Sequence, residues 1–377
     1  MVLGKTEIGL EKMVLERINN YLVPRKSSEV FDGNNKMPIT ITLEVRIRAV
    51  DILNSHNVKV PEDILTRFRN GEKVDLKNLD EITQWNIYWA QEMAAAQTVI
   101  PSRGGGYGDL LPARLMHYDG SAKNIADLFN NSGKGIVGKK VLETGSGSGL
   151  GLILLSMKGA DAYGIDTSVV GIAFSQYLAG HFSKRFPTSK ININVGQGDY
   201  FHTKFEDGSF DVVYNAGVAE HLYREGLDNL MAEMIRVTKP GGYVLIAVPN
   251  EGGAFYKRYK ATKDELKKQF PTLVSMPADT RRNHHDIKDY MARHGLVVIK
   301  EDGLQVAPST PVKQRDINEE HLHIFNMYLP KSTPSDVESK IAIWRGLEAM
   351  VDPAFRMKYG WTLYYVGQKP AEPKPTA

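Results

Sequence analysis

Apolar and polar positions recur along this chain with two different periods, and the change from one to the other divides it. Over the first hundred residues the apolar positions fall mainly at helical spacing. Leu10, Val14, Ile18 and Tyr21 form one stripe, which Pro24 ends. Residues 39–53 carry a mixed signal. Ile39, Ile41, Leu43, Val45 and Ile47 alternate as in a strand, while Leu43, Ile47 and Val50 also fit a helix, the reading favoured here. Pro61 marks the first position of a short helix that ends at Asn70-Gly71. Asp80 is placed to cap another, with Ile82, Trp85, Trp89 and Met93 on one face, read first as core. Gly104, Gly105, Gly106 and Gly108 then mark a flexible approach to the next region.

From Lys140 the texture changes to short apolar runs alternating with amphipathic ones. Strands are predicted at 141–142, 162–165, 191–195, 210–214, 243–248, 296–299 and 361–366. Helices are predicted between them, among them one over 219–237 that ends at a Lys239-Pro240-Gly241-Gly242 turn. Such alternation predicts an α/β protein with a doubly wound parallel sheet. Two stretches interrupt it, at about 251–284 and 307–357, and the tail from 369 is Pro-rich and expected to be disordered. The expected division is therefore 1–101 as a helical N-terminal domain and 102–139 as a Gly-containing connector or lid. Residues 140–368 then form the sheet domain with two helical insertions that form a lid, and 369–377 the tail.

Composition narrows the chemistry. The 377 residues include no cysteine, which excludes disulfide scaffolds, thiolate zinc sites, iron–sulfur clusters and thiol nucleophiles. The net charge is only +3, less basic than a nucleic-acid binder usually is. The basic excess is local: residues 251–300 hold eleven Lys/Arg against six Asp/Glu, which reads as a solvated helical face or as a docking surface. No apolar run approaches the roughly 20 residues of a membrane span. Lys5, Glu7, Glu11, Lys12, Glu16 and Arg17 interrupt the N-terminus where a signal peptide would be apolar, so a cytoplasmic location is expected.

The most informative run is Val141-Leu142-Glu143-Thr144-Gly145-Ser146-Gly147-Ser148-Gly149, with glycines at alternate positions between a strand and a helix. Glycine there permits a tight turn and close approach of a ligand. A dinucleotide fingerprint is excluded, because its three registers place Leu150, Leu152 or Leu154 at the last glycine. A phosphate-cradling loop at Gly133, Gly138 and Lys139 fails too, since Lys140 occupies its Ser/Thr position and a strand follows. Asp166 ends the next strand 21 residues after Gly145, where a carboxylate can accept from both hydroxyls of a ribose or cap the following helix. Asp199 and Tyr200 follow the third strand and are candidates for an adenine amine and ring.

Together these residues resemble the class I S-adenosylmethionine-dependent methyltransferases, in particular a group with an acid-x-Gly-x-Gly-x-Gly loop and a later Phe-Asp-x-Val…Glu-His segment. Here those are Glu143 to Gly149 and Phe210-Asp211-Val212-Val213…Glu220-His221, over about 140–250. The resemblance implies a Rossmann-like sheet of seven strands, the last antiparallel, and S-adenosyl-L-methionine as cofactor. It implies that Glu143, Gly145, Gly147, Gly149, Asp166, Asp199, Tyr200 and Asn215 bind it, with Asn215 and Ala216 near the sulfonium. Without cysteine, the routes left for this cofactor narrow to direct displacement at the methyl group.

An O–H or N–H acceptor also needs a base. His221 is the first candidate, although Glu220-His221 also fits a structural role; His284 with His285, and His321 with His323, are others. Tyr107 is a further catalytic candidate, and with His117 a candidate for a lid over the cofactor. Trp85, Tyr88, Trp89, Phe325, Tyr328 and Trp344 are candidates for the wall of a substrate pocket, or for the core of a lid. The expected partner is a small, partly apolar metabolite, with RNA or protein docking on 251–300 as the alternative. Neither a metal site nor a nucleic-acid module is expected, and a homo-oligomer is compatible with the sequence.

Overall fold

The computed structural model describes residues 39–72, 74–102, 111–130, 135–252, 286–304 and 352–371. Four helices precede the sheet: α1 (Ile39–Ser55), α2 (Glu62–Arg69), α3 (Glu81–Ser102) and α4 (Leu111–Asp127). The sheet region then runs β1 (Lys140–Thr144), α5 (Leu150–Met157), β2 (Asp161–Asp166), α6 (Val169–Arg185), β3 (Ile193–Gln197) and β4 (Phe210–Ala216). It continues through α7 (Arg224–Val237), β5 (Thr238–Pro249), α8 (Ile287–Arg293), β6 (Val297–Leu304), α9 (Pro353–Tyr359) and β7 (Thr362–Gln368). By contact the chain divides at Glu44/Val45, and everything from Val45 on forms one unit.

The seven strands lie in the order β3-β2-β1-β4-β5-β7-β6. β7 is antiparallel to both its neighbours, and the other described pairs are parallel. The physical origin of the two helical layers is visible strand by strand. Val141, Val212, Tyr214, Leu245, Ala247, Tyr364 and Val366 face one core, filled from α1 to α6. Their immediate neighbours Leu142, Val213, Val244, Ile246, Leu363 and Tyr365 face the other, filled by α7 and α8. Side chains that alternate in direction but are apolar on both faces make a strand that only a doubly covered sheet can bury.

Several boundaries differ from the sequence reading for identifiable reasons. The segment 239–242 is not a turn but the start of β5, and the pairing with β4 slips there between Phe210 and Val212. Gly241 takes φ 77° and donates to Lys369 O, so the strand continues through an irregularity. The helix expected over 219–237 is broken into a 3₁₀ turn, Ala219–His221, and α7. Leu222 and Tyr223 between them are extended. The turn is fixed because the Asn215 side chain accepts from Ala219 N at 2.9 Å. Helix α4 carried no clear apolar period, and its Gly120 packs on Leu304 of β6. Asp80 does cap α3, accepting from Thr83 N (2.9 Å) and Thr83 Oγ1 (2.6 Å).

Helix α3 is tied to the sheet by a residue that the periodicity gave no reason to select. Asn86 is buried, and its Oδ1 accepts from Ser168 Oγ (2.8 Å) and Val170 N (3.1 Å). Ser168 in turn caps α6 by accepting from Gly171 N. Asn86→Ala leaves both donors without that acceptor, and the expected loss of stability is about 2 kcal/mol, read by urea denaturation. A change below ~0.5 kcal/mol would show that the tie carries no weight.

Candidate functional site

Strand order reverses between β1 and β4, and in an open α/β sheet the crevice beyond the carboxyl ends of such strands is where ligands bind. A cavity of about 200 Å³ lies there. Its floor is the loop Gly145–Gly147 with Glu143 beneath, and Asp166, Thr167 and Tyr200 bound it on the β2 and β3 side. Ala216 to Val218, Glu220 and His221 follow β4, with Pro249 and Trp361 beyond. Helix α3 closes it with Glu81, Trp85, Tyr88 and Trp89, and Tyr118 of α4 completes the wall.

The loop is shaped by its glycines. Gly145, Gly147 and Gly149 have φ of 74°, 45° and 65°, where a Cβ is strained. Space forbids one as well: a Cβ on Gly145 would stand 2.2 Å from Val218 Cγ2, and one on Gly147 2.3 Å from Trp89 Cζ2. The loop amides turn towards β2. Gly145 N and Ser146 N donate to Ile165 O, and Gly147 N donates to Asp166 Oδ2 at 2.7 Å. Asp166 Oδ1 accepts from Ser168 N at 2.7 Å, so one carboxylate braces both the glycine loop and the turn into α6. Each oxygen retains acceptor capacity towards the cavity. Burial raises the pKa of Asp166, against the lowering effect of these backbone donors.

Glu143 is almost fully buried beside it. Burial lifts its pKa to about 8; the Tyr214 hydroxyl lessens that rise and the Asp166 charge adds to it. Glu143 Oε2 and Ser146 Oγ are buried and have no hydrogen-bond partner among the described residues. Native interiors rarely leave such atoms unsatisfied, which makes both candidates for contact with a polar ligand. Tyr200 has its pKa raised by burial and then by the charges of Glu81, Asp166 and Asp199. Those three carboxylates set a negative field on that side.

The remaining residues singled out in the sequence fall in different places. Gly149 caps α5 in left-handed conformation and is not part of the lining. Asp199 is half-exposed outside the cavity, accepting from Phe201 N and facing His202 Nδ1 at 3.0 Å. Asn215 was expected near the sulfonium. It stands behind the wall instead, donating to Thr144 O (2.7 Å) and Thr144 Oγ1 (3.1 Å), while Ala216 lines the cavity. His221 does line it: its ring meets Trp85 edge-on at 5.5 Å, and Nε2 lies 3.9 Å from Glu220 Oε1. Tyr107, His284, His285, His321, His323, Phe325, Tyr328 and Trp344 lie outside the described residues, as does most of the basic stretch, 253–285. Among the described residues no cluster could hold a metal ion, and no helix is long and apolar enough to cross a membrane.

The structure adds residues that the sequence did not select. Trp361 reaches the cavity because Asn250 holds its loop: Asn250 N donates to Trp361 O, and its amide donates to Met357 O and Gly360 O, each at 2.9 Å. Glu81 and Tyr118 also enter from helices distant in sequence, a placement no local pattern encodes.

Residues 142–246 match the methyltransferase domain family. A probable S-adenosylmethionine-dependent methyltransferase of Mycolicibacterium smegmatis is 32% identical over 113 residues, covering 30% of this chain and 39% of that protein. Phosphoethanolamine N-methyltransferase 2 of Caenorhabditis elegans is 23% identical over 236 residues, 62% of this chain and 48% of that one. A solved structure of Haemonchus contortus phosphoethanolamine N-methyltransferase 2 with S-adenosyl-L-methionine aligns with 19% identity and a TM-score of 0.40, covering 67% of this chain and 52% of that one. The chain spans less than half the length of these two curated relatives. Residues 142–246 thus carry a methyltransferase domain, and the seven-stranded sheet is built around it.

Proposed function

We propose that this chain methylates a small, partly apolar metabolite by direct in-line transfer from S-adenosylmethionine. The observation that carries the reading is the cavity over the glycine loop. It combines a buried carboxylate with acceptor capacity, Asp166, with two buried polar atoms that lack partners, Glu143 Oε2 and Ser146 Oγ. Asp166 would take the ribose hydroxyls, Glu143 the cationic end of the ligand, and Tyr200 a face of the adenine. Gly145 and Gly147 give the close approach. Gly149, Asp199 and Asn215 would support these contacts from behind rather than touch the ligand.

The bound cofactor supplies an already activated sulfonium methyl. The chain therefore needs chiefly to hold an acceptor in line and exclude water, an effect that can supply on the order of 7–11 kcal/mol. Partly buried aromatic rings on α3 and the buried Trp361 support exclusion of water and an acceptor with apolar surface. His221, which lines the cavity, is assigned here the role of taking a proton. If it does, His221→Ala lowers the rate about 100-fold while cofactor affinity stays within about threefold. An unchanged rate would return His221 to a wall residue.

Incubation with methyl-labelled cofactor and a metabolite extract tests the reading. Label is expected in the small-molecule fraction. Label found only on protein or RNA would favour the macromolecular alternative.

A further inference from the structure

The charge pattern of the cavity carries one step further. Its lining holds four carboxyl groups, on Glu81, Glu143, Asp166 and Glu220, and no lysine or arginine among the described residues. Glu143 and Asp166 lie on the glycine-loop side, which the reading above gives to the cofactor. Glu220 follows β4, and Glu81 of α3 stands within reach of both Tyr200 and an aromatic cluster. Trp85 stands perpendicular to Tyr88 (88°, centroids 5.7 Å apart) and nearly so to His221 (79°, 5.5 Å). Glu81 Oε1 accepts from Trp85 Nε1 at 3.4 Å, which puts the carboxylate at the edge of that ring. Rings set at right angles beside carboxylates make a site for a cation. The faces attract positive charge and the carboxylates reinforce it. Among the described residues an anionic acceptor meets only like charge here, and a neutral alcohol gains a hydrogen bond to an acid but no charge attraction.

Resting on the cofactor reading above, we propose that the acceptor is an amine, bound as its ammonium form between Trp85, Tyr88 and Glu81 and methylated on nitrogen. Before transfer the ammonium loses one proton, and His221 with Glu220 beside it is placed to receive it. The nitrogen lone pair then attacks the methyl carbon. The N–C bond forms as the S–C bond breaks, the S–C electron pair stays on sulfur, and the positive charge passes from sulfur to nitrogen. The product is again a cation, which the same rings hold and then release.

Calorimetric titration of the full chain, saturated with S-adenosylhomocysteine, tests this with three probes of one shape. They are choline, its neutral carbon analogue dimethylbutanol, and the anion dimethylbutanoate. Choline is expected to bind at least about tenfold tighter than either of the others. Trp85→Leu should weaken choline about tenfold. Glu81→Gln, at an exposed position where folding is not at risk, should weaken it about threefold, with dimethylbutanol unaffected. Equal binding of choline and dimethylbutanol, tighter binding of the anion, or no binding of choline overturns the amine assignment and leaves the cofactor reading standing. Failure of S-adenosylhomocysteine itself to bind overturns the cofactor reading, and this proposal with it.

Discussion

Asp166→Ala lowers affinity for S-adenosylhomocysteine by about two to three orders of magnitude. Two hydrogen bonds from ribose hydroxyls to a charged acceptor are each worth about 1.5–3 kcal/mol, and alanine removes both. The substitution acts on the free protein as well. Gly147 N and Ser168 N lose their acceptor, so unfolding should become easier by roughly 2 kcal/mol. Equilibrium dialysis at a temperature where the variant remains folded separates the two effects. Unchanged affinity there would leave Asp166 only its bracing role.

Glu143→Gln is expected to act in opposite directions on stability and binding. The carboxyl of Glu143 has an ordinary value of 4.5 and a folded value of about 8. Between those values the unfolded chain has released a proton that the folded chain keeps. The folded state therefore binds more protons, and stability falls as pH rises through that window. Glutamine has no proton to lose, so the decline attributable to this position disappears. Near pH 7.5 the variant should be more stable on the order of 2 kcal/mol, and less dependent on pH between about 5 and 8. Binding should suffer, because a cationic ligand beside Glu143 favours the carboxylate and draws its proton off. Wild-type protein should release a fraction of a proton on binding near pH 7, seen as a dependence of the binding heat on buffer ionisation enthalpy. Glu143→Gln should show none. A variant that is less stable at pH 7.5, with the pH slope of the wild type, would contradict this.

What the sequence disclosed follows from what is local. The glycine loop and Asp166 are legible because the backbone geometry they serve is set within a few residues. Gly145, Gly147 and Gly149 all take positive φ, and a strand end places Asp166 opposite them. The two-sided strands are legible because both sets of alternating residues are apolar. The acceptor side was only partly legible. Trp85 and Trp89 share a helical stripe with Met93, and that stripe looks the same whether it faces a core or a cavity. In the fold, Trp89 packs on Gly147 and Gly171, and it lines the cavity together with Trp85 and Tyr88. Asn86, Tyr118 and Trp361 act across separations of tens to hundreds of residues, so no spacing announces them. Asn215 misled for the converse reason. Its place at the end of β4 is as expected, but its side chain turns back to Thr144 and Ala219.

The most direct test is titration of S-adenosylhomocysteine into the wild-type chain and into Gly147→Val. The valine would place its side chain where Trp89 and the ligand must both approach. One site per wild-type chain with a Kd in the micromolar range is expected, and no measurable binding to a variant that circular dichroism shows to be folded. Absence of binding to the folded wild type, or equal binding to both proteins, would contradict it.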